Sequence, residues 1–296
     1  MSPQAWQHGG TIQTLNGHDV FTVDSGGGGP VIIALHGFPT SSWDWAPLWP
    51  ALRKTCRLLT LDFLGFGFSE KPHPHAYSIM EQADLVEALL ARSGIRHAHV
   101  LAHDYGDTVA QELLARDLER VPEARIWQSC CLLNGGIFPE AHRPLLVQRL
   151  LSSPLGPLVA AAMGPGRFNA NFKRIFGPDT QPDEAMLEAF WRLITTSRGR
   201  QVLPRISRYR HERKVHRSRW VAALTQAPCP MALINGSADP ISGDHMVQRY
   251  AEIVRADDPV TRLPRIGHYP HIEAPDAVAE AYLAFLGHVE AARETS

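Results

Sequence analysis

The chain has four cysteines in 296 residues, Cys56, Cys130, Cys131 and Cys229, and their spacing matches neither a disulfide framework nor a zinc ligand set. They read as reduced core residues, because two adjacent ones in an apolar run cannot readily bridge each other. Net charge is equally small, because 29 Lys and Arg residues offset 30 Asp and Glu residues. At a formal net charge of −1 the protein has no general attraction for nucleic acid or an anionic membrane. No run reaches about 18 uninterrupted apolar residues, so no membrane span is predicted. Met1–Gly10 is polar and lacks an apolar signal core, and the expectation is a soluble, cytoplasmic protein. The four glycines Gly26–Gly29 are followed by no Lys-Ser or Lys-Thr pair and no helical pattern, which favours a turn between strands over a phosphate-binding loop. Nothing in the pattern asks for a metal or a cofactor, and the oligomeric state is not written in it.

What is present is an alternation of strand and helix signals in a chain long enough to bury a sizeable core. Thr11 to Val23 alternates around the hairpin signal Asn16-Gly17. Val31–Leu35, Arg57–Asp62, His97–Ala102, Ile126–Leu133 and Met231–Ile234 are apolar runs of the kind buried on both faces of a parallel sheet. Helical spacing fits Ser78–Ser93, with Gly94 as a stop, and Thr108–Leu118. The fold class is therefore α/β, a mostly parallel sheet with helices on both faces. From Pro144 to about Gln226 the pattern becomes helical pieces broken by prolines, an insertion between two sheet strands. The expected organisation is a core of residues 1–135 and 227–296 with a helical cap of residues 136–226 lying over the strand ends. Within the insertion, Arg208–Trp220 is rich in Arg, Lys and His; a solvated helix face is the first expectation and contact with an anionic ligand the second.

The chemistry is concentrated at Val100–Val109. An apolar strand stops at a short polar turn and a helix pattern starts at once, with the small residues Ala102 and Gly106 placed two before and two after Asp104. This is the spacing of a nucleophile elbow, whose tight, strained turn lifts one side chain above the sheet edge. A carboxylate in that position suits attack on a saturated carbon, which leaves an alkyl ester on the enzyme. The rival reading of Asp104 is a helix N-cap, and Asp107 is read as a first-turn acid favoured by the helix dipole. His36-Gly37-Phe38-Pro39 follows the first core strand, so the backbone N–H groups of Phe38 and Tyr105 are the expected oxyanion-hole donors. Late in the chain come Asn235–Pro240, containing Asp239, and then Gly267-His268-Tyr269-Pro270. The order nucleophile, acid, histidine makes His268 the base and Asp239 the residue that holds it. Glu140 is the weaker alternative acid, and His271 has no obvious partner.

These motifs, taken together, resemble the α/β-hydrolase family over essentially the whole chain. The likeness is nearest the mesoderm-specific transcript branch, on Leu35–Ser42, Leu61–Ser69, His103–Asp107 and Asn134–Glu140. The resemblance implies kinship with epoxide hydrolases and haloalkane dehalogenases, which share an aspartate nucleophile and a helical cap. Haloalkane dehalogenases usually follow that aspartate with a halide-binding Trp, where this chain has Tyr105. Phe38 has no side-chain donor, which leaves Trp191 or Trp220 as cap donors to a halide. Epoxide hydrolases use cap tyrosines to protonate the opening ring, and this cap offers one, Tyr209. The expectation is an epoxide hydrolase acting on a small apolar organic substrate and water, with His36 and Tyr209 beside the substrate. Haloalkane dehalogenation is the alternative, and a ligand-binding protein of this fold with little turnover is the third reading.

Overall fold

Covering a strand with helices on both faces leaves it no wet side, so every second residue of each apolar run goes to a different core. Ile33, Leu35, Val100, Ala102, Cys130 and Leu132 belong to one apolar cluster, while Ile32, Ala34, Leu101, Cys131 and Leu133 belong to another on the opposite face. Adjacent Cys130 and Cys131 thus point to opposite sides of the sheet, and all four cysteines are free.

The computed structural model describes residues 1–295. Among them, eight strands form one sheet: β1 Thr11–Leu15, β2 His18–Asp24, β3 Val31–Leu35, β4 Arg57–Leu61, β5 Ala98–His103, β6 Trp127–Leu133, β7 Met231–Gly236 and β8 Val260–Leu263. Their order is β1-β2-β4-β3-β5-β6-β7-β8. The β1–β2 and β2–β4 pairs are antiparallel and all others parallel. β5 lies mid-sheet and is buried at every position. The helix Ile79–Arg92, capped by Ser78 through the Glu81 N–H, and the helix Tyr105–Glu119 pack on the first cluster; Pro275–Glu294 packs on the second. The second of these helices starts at Tyr105, three residues before the sequence pattern placed it, because it springs directly from the turn.

Between β6 and β7 the chain runs through the helices Leu146–Leu151, Gly156–Ala162, Pro165–Lys173, Glu184–Thr195, Gly199–Ile206, Tyr209–Val215 and Arg217–Thr225. The last is clamped to the helix behind the turn by the buried Glu112 carboxylate. Glu112 accepts the Trp220 indole N–H at 2.8 Å, Arg219 Nε at 2.8 Å and Arg116 Nε at 3.0 Å. Among the described residues, no helix is long and apolar enough to cross a membrane.

Candidate active site

β5 ends at His103, and Asp104 then takes φ 46° and ψ −97°, a strained conformation for a residue with a side chain. The turn can be this tight only because its neighbours are small. A Cβ on Gly106 would collide with the Leu35 carbonyl, and Gly106 N–H instead donates to the His36 carbonyl at 3.0 Å, joining the turn to the loop after β3. Although Asp104 stands at the N-cap position, its side chain makes no capping bond. Its Oδ2 instead accepts the Phe38 N–H at 3.1 Å, across the join between the two loops. The Tyr105 N–H opens the helix, where the first amides have no intrahelical acceptor.

His268, on the loop after β8, puts Nε2 3.9 Å from Asp104 Oδ2 and Nδ1 2.8 Å from Asp239 Oδ2. Asp239 is fixed on every side: it accepts the Ile241 N–H at 2.8 Å, the Ser242 N–H at 3.0 Å and Asn134 Nδ2 at 3.0 Å. Asn134, at the tip of β6 with φ 45°, also accepts the Gly236 N–H at 2.8 Å, so it locks the acid loop to the strand end. His103 Nε2 donates to the His268 carbonyl at 2.7 Å and holds that loop from beneath.

The electrostatics follow from placing one imidazole between two buried carboxylates. Burial alone would lower the His268 pKa, but Asp239 and Asp104 outweigh it and raise it to about 10. Burial would raise the Asp104 carboxyl; His268 and the cation Arg213 reverse that and drive it far below the ordinary carboxylate range. In the resting site Asp104 is a carboxylate and His268 an imidazolium. Asp107 is fully buried in the first turn of the helix Tyr105–Glu119, and burial together with the Asp104 charge pushes its pKa well up.

Two residues of the inserted helices close over this centre. Tyr209 is 2% exposed and its ring lies 4.8 Å from that of Tyr105 and 5.7 Å from that of Phe38. Arg213, one helical turn on and also 2% exposed, stacks its guanidinium 4.6 Å above the Tyr209 ring. It donates Nε to Thr108 Oγ1 at 2.7 Å and Nη2 to the Asp104 carbonyl at 3.0 Å, with Asp104 Oδ1 at 3.5 Å. This corrects the expectation that Arg208–Trp220 is a solvated face throughout. Beside Phe38 and His268 is an apolar cavity of about 60 Å³, walled by Leu151, Met163, Phe168, Phe172, Ile194 and Leu203.

A strained turn at the end of a central parallel strand, a histidine bridging it to an acid after a later strand, and a loop amide pointed at the turn residue together fix the family. Residues 32–281 match the alpha/beta hydrolase family model. The chain belongs to the alpha/beta hydrolase family. It is 42% identical over 294 residues to the mesoderm-specific transcript homolog protein of Bos taurus, covering 95% of this chain and 87% of the relative. It is 37% identical over 286 residues to the putative hydrolase LipZ of Mycobacterium tuberculosis, covering 96% of this chain and 98% of the relative. Its fold superposes on the crystal structure of the haloalkane dehalogenase DbeA from Bradyrhizobium elkani with a TM-score of 0.81 at 20% identity, over 96% of this chain and 99% of that one.

Within this alpha/beta hydrolase, three of the expected substrate contacts are placed elsewhere. His36 is fully buried, with Nδ1 on the Gly37 carbonyl at 2.9 Å and Nε2 accepting the Phe63 N–H at 3.0 Å; both nitrogens are committed to shaping the loop, so it is not a substrate contact. Trp220 spends its indole N–H on Glu112 and has none left for a halide. Trp191 is half-buried with its ring 5.5 Å from Phe168, behind the cavity wall rather than on it. Glu140 pairs with Arg217 and Arg249 at the surface, away from His268. Sequence reasoning missed Arg213, Thr108, Asn134 and His103.

Asp44, His103 and His271 each bring one ligand atom within 4.8 Å of the others beneath the site. Burial raises the Asp44 carboxyl and lowers both imidazoles, and among the described residues Asp44 Oδ1, His103 Nδ1 and both ring nitrogens of His271 have no hydrogen-bond partner.

Proposed function

We propose that the protein hydrolyses epoxides by a two-step mechanism in which Asp104 is the nucleophile and residues 136–226 act as a cap supplying the acid. The observation that carries this reading is Tyr209: it is buried against Phe38 and Tyr105, the two expected oxyanion-hole residues, while the cap indole of Trp220 is already occupied. Burial first, and the Asp104 charge second, raise the Tyr209 pKa, so its hydroxyl holds a proton at neutral pH. Such a phenol can give that proton to an oxygen that is becoming an alkoxide.

In the first step an Asp104 oxygen forms a bond to an epoxide carbon as the ring C–O bond breaks. The released electron pair stays on the ring oxygen, which takes the Tyr209 proton. Asp104 is now a neutral ester, and one of the two anions that held His268 protonated has disappeared. Its proton passes to the Tyr209 phenolate, leaving a neutral imidazole oriented by Asp239. In the second step that imidazole takes a proton from water as the water oxygen attacks the ester carbonyl, and the Phe38 and Tyr105 N–H groups receive the oxyanion. Collapse breaks the bond between the carbonyl carbon and the substrate oxygen, the departing alkoxide takes the proton of the newly formed Asp104 carboxyl, and the diol leaves with Asp104 again a carboxylate beside an imidazolium, one water having been consumed. The site's charges thus reset themselves.

The cavity of about 60 Å³ beside His268 is small and lined by apolar side chains. Movement of the helices over the site would enlarge it for a bulkier substrate. Incubation with panels of small epoxides and small haloalkanes, following diol and halide release, tests the reading. Diol formation supports it, halide release alone moves the activity to dehalogenation, and no turnover of either makes the protein a binder of this fold.

A further inference from the structure

On the outer side of Arg213 lies a cleft of about 610 Å³ whose wall includes Arg149, Arg208, Arg210, Arg213, Lys214 and His142, with Ser152 and His211 beside them and no carboxylate residue in the wall. Apart from the Arg213–Asp104 pair, cations gathered in a wall that holds no carboxylate repel one another, and such an arrangement gains stability by holding an anion. The buried nitrogens within it have been left free. Arg213 Nη1, Arg210 Nε and His142 Nε2 all lack a hydrogen-bond partner, although Arg213 is 2% exposed and most buried donors are paired. Gly136 lets the group assemble, since a Cβ there would strike both the Arg213 guanidinium and the His142 ring. Arg210 is anchored by the Gln148 carbonyl and Ser152, so the cluster is held in place from the neighbouring helix.

We infer that this cleft binds the oxyanion of the substrate, a carboxylate or phosphate group on a short-chain epoxide, and that Arg213 joins the anion subsite to the nucleophile. The same guanidinium reaches Asp104 through Nη2 and borders the cleft, so an anion on its free Nη1 stands one guanidinium width from the reacting carboxylate. The apolar cavity on the other side then takes the remainder of the substrate, which replaces the expectation of a purely apolar one. Burial, and repulsion by Arg213 and Arg149, lower the Arg210 pKa, the opposite of what a paired arginine shows, and a bound anion removes that opposition. The substrate class rests on the epoxide reading; the anion subsite itself does not.

The test uses the full chain with Asp104→Asn, so that a probe is bound without being consumed, and calorimetric titration with oxirane-2-carboxylate, its neutral amide and glycidyl phosphate. Charge-assisted bonds to two or more buried donors predict that at least one oxyanion binds about tenfold or more tightly than the amide. Arg210→Met in the same background should abolish most of that preference, and the exposed-rim pair Arg149→Gln/Lys214→Gln should reduce it without disturbing the unfolding transition. Preference for only one of the two oxyanions names the group. Equal affinity for charged and neutral probes overturns the inference. If in that case the wild-type protein still turns over the amide through Asp104, the nucleophile reading stands and only the anion subsite falls. An oxyanion preference in a protein that forms no Asp104 ester leaves the subsite supported and removes the epoxide reading.

Discussion

The Nε2 of His268 lies 3.9 Å from Oδ2 of Asp104 while its Nδ1 is 2.8 Å from Asp239, so a single imidazole is shared between two buried carboxylates. The folded protein therefore holds a proton on His268 up to about pH 10, against 6.5 for an ordinary histidine. A raised pKa gives stability that is full below the unfolded value and is lost as pH rises through the folded value. Denaturant unfolding should show wild-type stability falling between about pH 6.5 and 10 by more than that of His268→Gln. Parallel curves for the two proteins would contradict this. Asp104→Asn removes one of the two anions, and the His268 ring resonance should titrate at a lower pH than in the wild type.

The Tyr209 ring packs edge-on against Tyr105 at 4.8 Å and tilted against Phe38 at 5.7 Å. Tyr209→Phe keeps that packing and removes only the proton. Loss of a general acid typically costs about 10²- to 10⁴-fold in rate, and the effect should fall on ester formation rather than on ester hydrolysis. Stopped-flow alkylation against steady-state turnover separates the two; an unchanged alkylation rate would exclude Tyr209 as the acid.

Glu112 is buried and answers to Arg116, Arg219 and Trp220 at once, which ties the helices over the site to the helix behind the elbow. Removing one partner from a buried charged cluster typically costs about 3 to 5 kcal/mol. Glu112→Ala should lower stability by a value near the lower end of that range, because Arg219 is part-exposed and regains some water. Calorimetric or denaturant unfolding measures it, and a change below about 1 kcal/mol, the size of a surface pair, would mean that the clamp is not formed.

Gly106 has no room for a Cβ against the Leu35 carbonyl. Gly106→Ala must shift the elbow, at a cost of about 1 to 3 kcal/mol by analogy with overpacked cores. Activity should fall further than stability, because the displaced atom belongs to the turn that aims Asp104. A variant with native stability and full turnover would show that the turn is more pliable than its geometry implies.

The fold was legible where the physics is local. Runs such as Val31–Leu35 and Cys130–Leu133 have no polar face, so they have to be central parallel strands, and the order Asp104, Asp239, His268 announces which loops meet. Asp104 also illustrates a decision that only geometry makes: capping and elbow readings use the same residue, and φ 46° with no capping bond separates them. Arg213 was not legible from the charge of its neighbourhood. Its hydrogen-bond partners, Thr108 Oγ1 and the carbonyl and carboxylate of Asp104, lie about a hundred residues away in the sequence. A faint signal existed in its spacing, four residues after Tyr209 and so on the same helix face. Trp220 misled for a related reason, since nothing nearby in the sequence shows that Glu112 has claimed its indole N–H.

Asp104 as a covalent nucleophile is the centre of the account, and trapping the ester tests it most directly. His268→Gln leaves the carboxylate and the acid in place but removes the base for the second step, so an epoxide that the wild type turns over should stop halfway. Intact-protein mass spectrometry should then show a stable gain of one substrate mass, mapping to the peptide that contains Asp104, while Asp104→Ala shows neither adduct nor turnover. An adduct on any other residue, or full activity in Asp104→Ala, would contradict it.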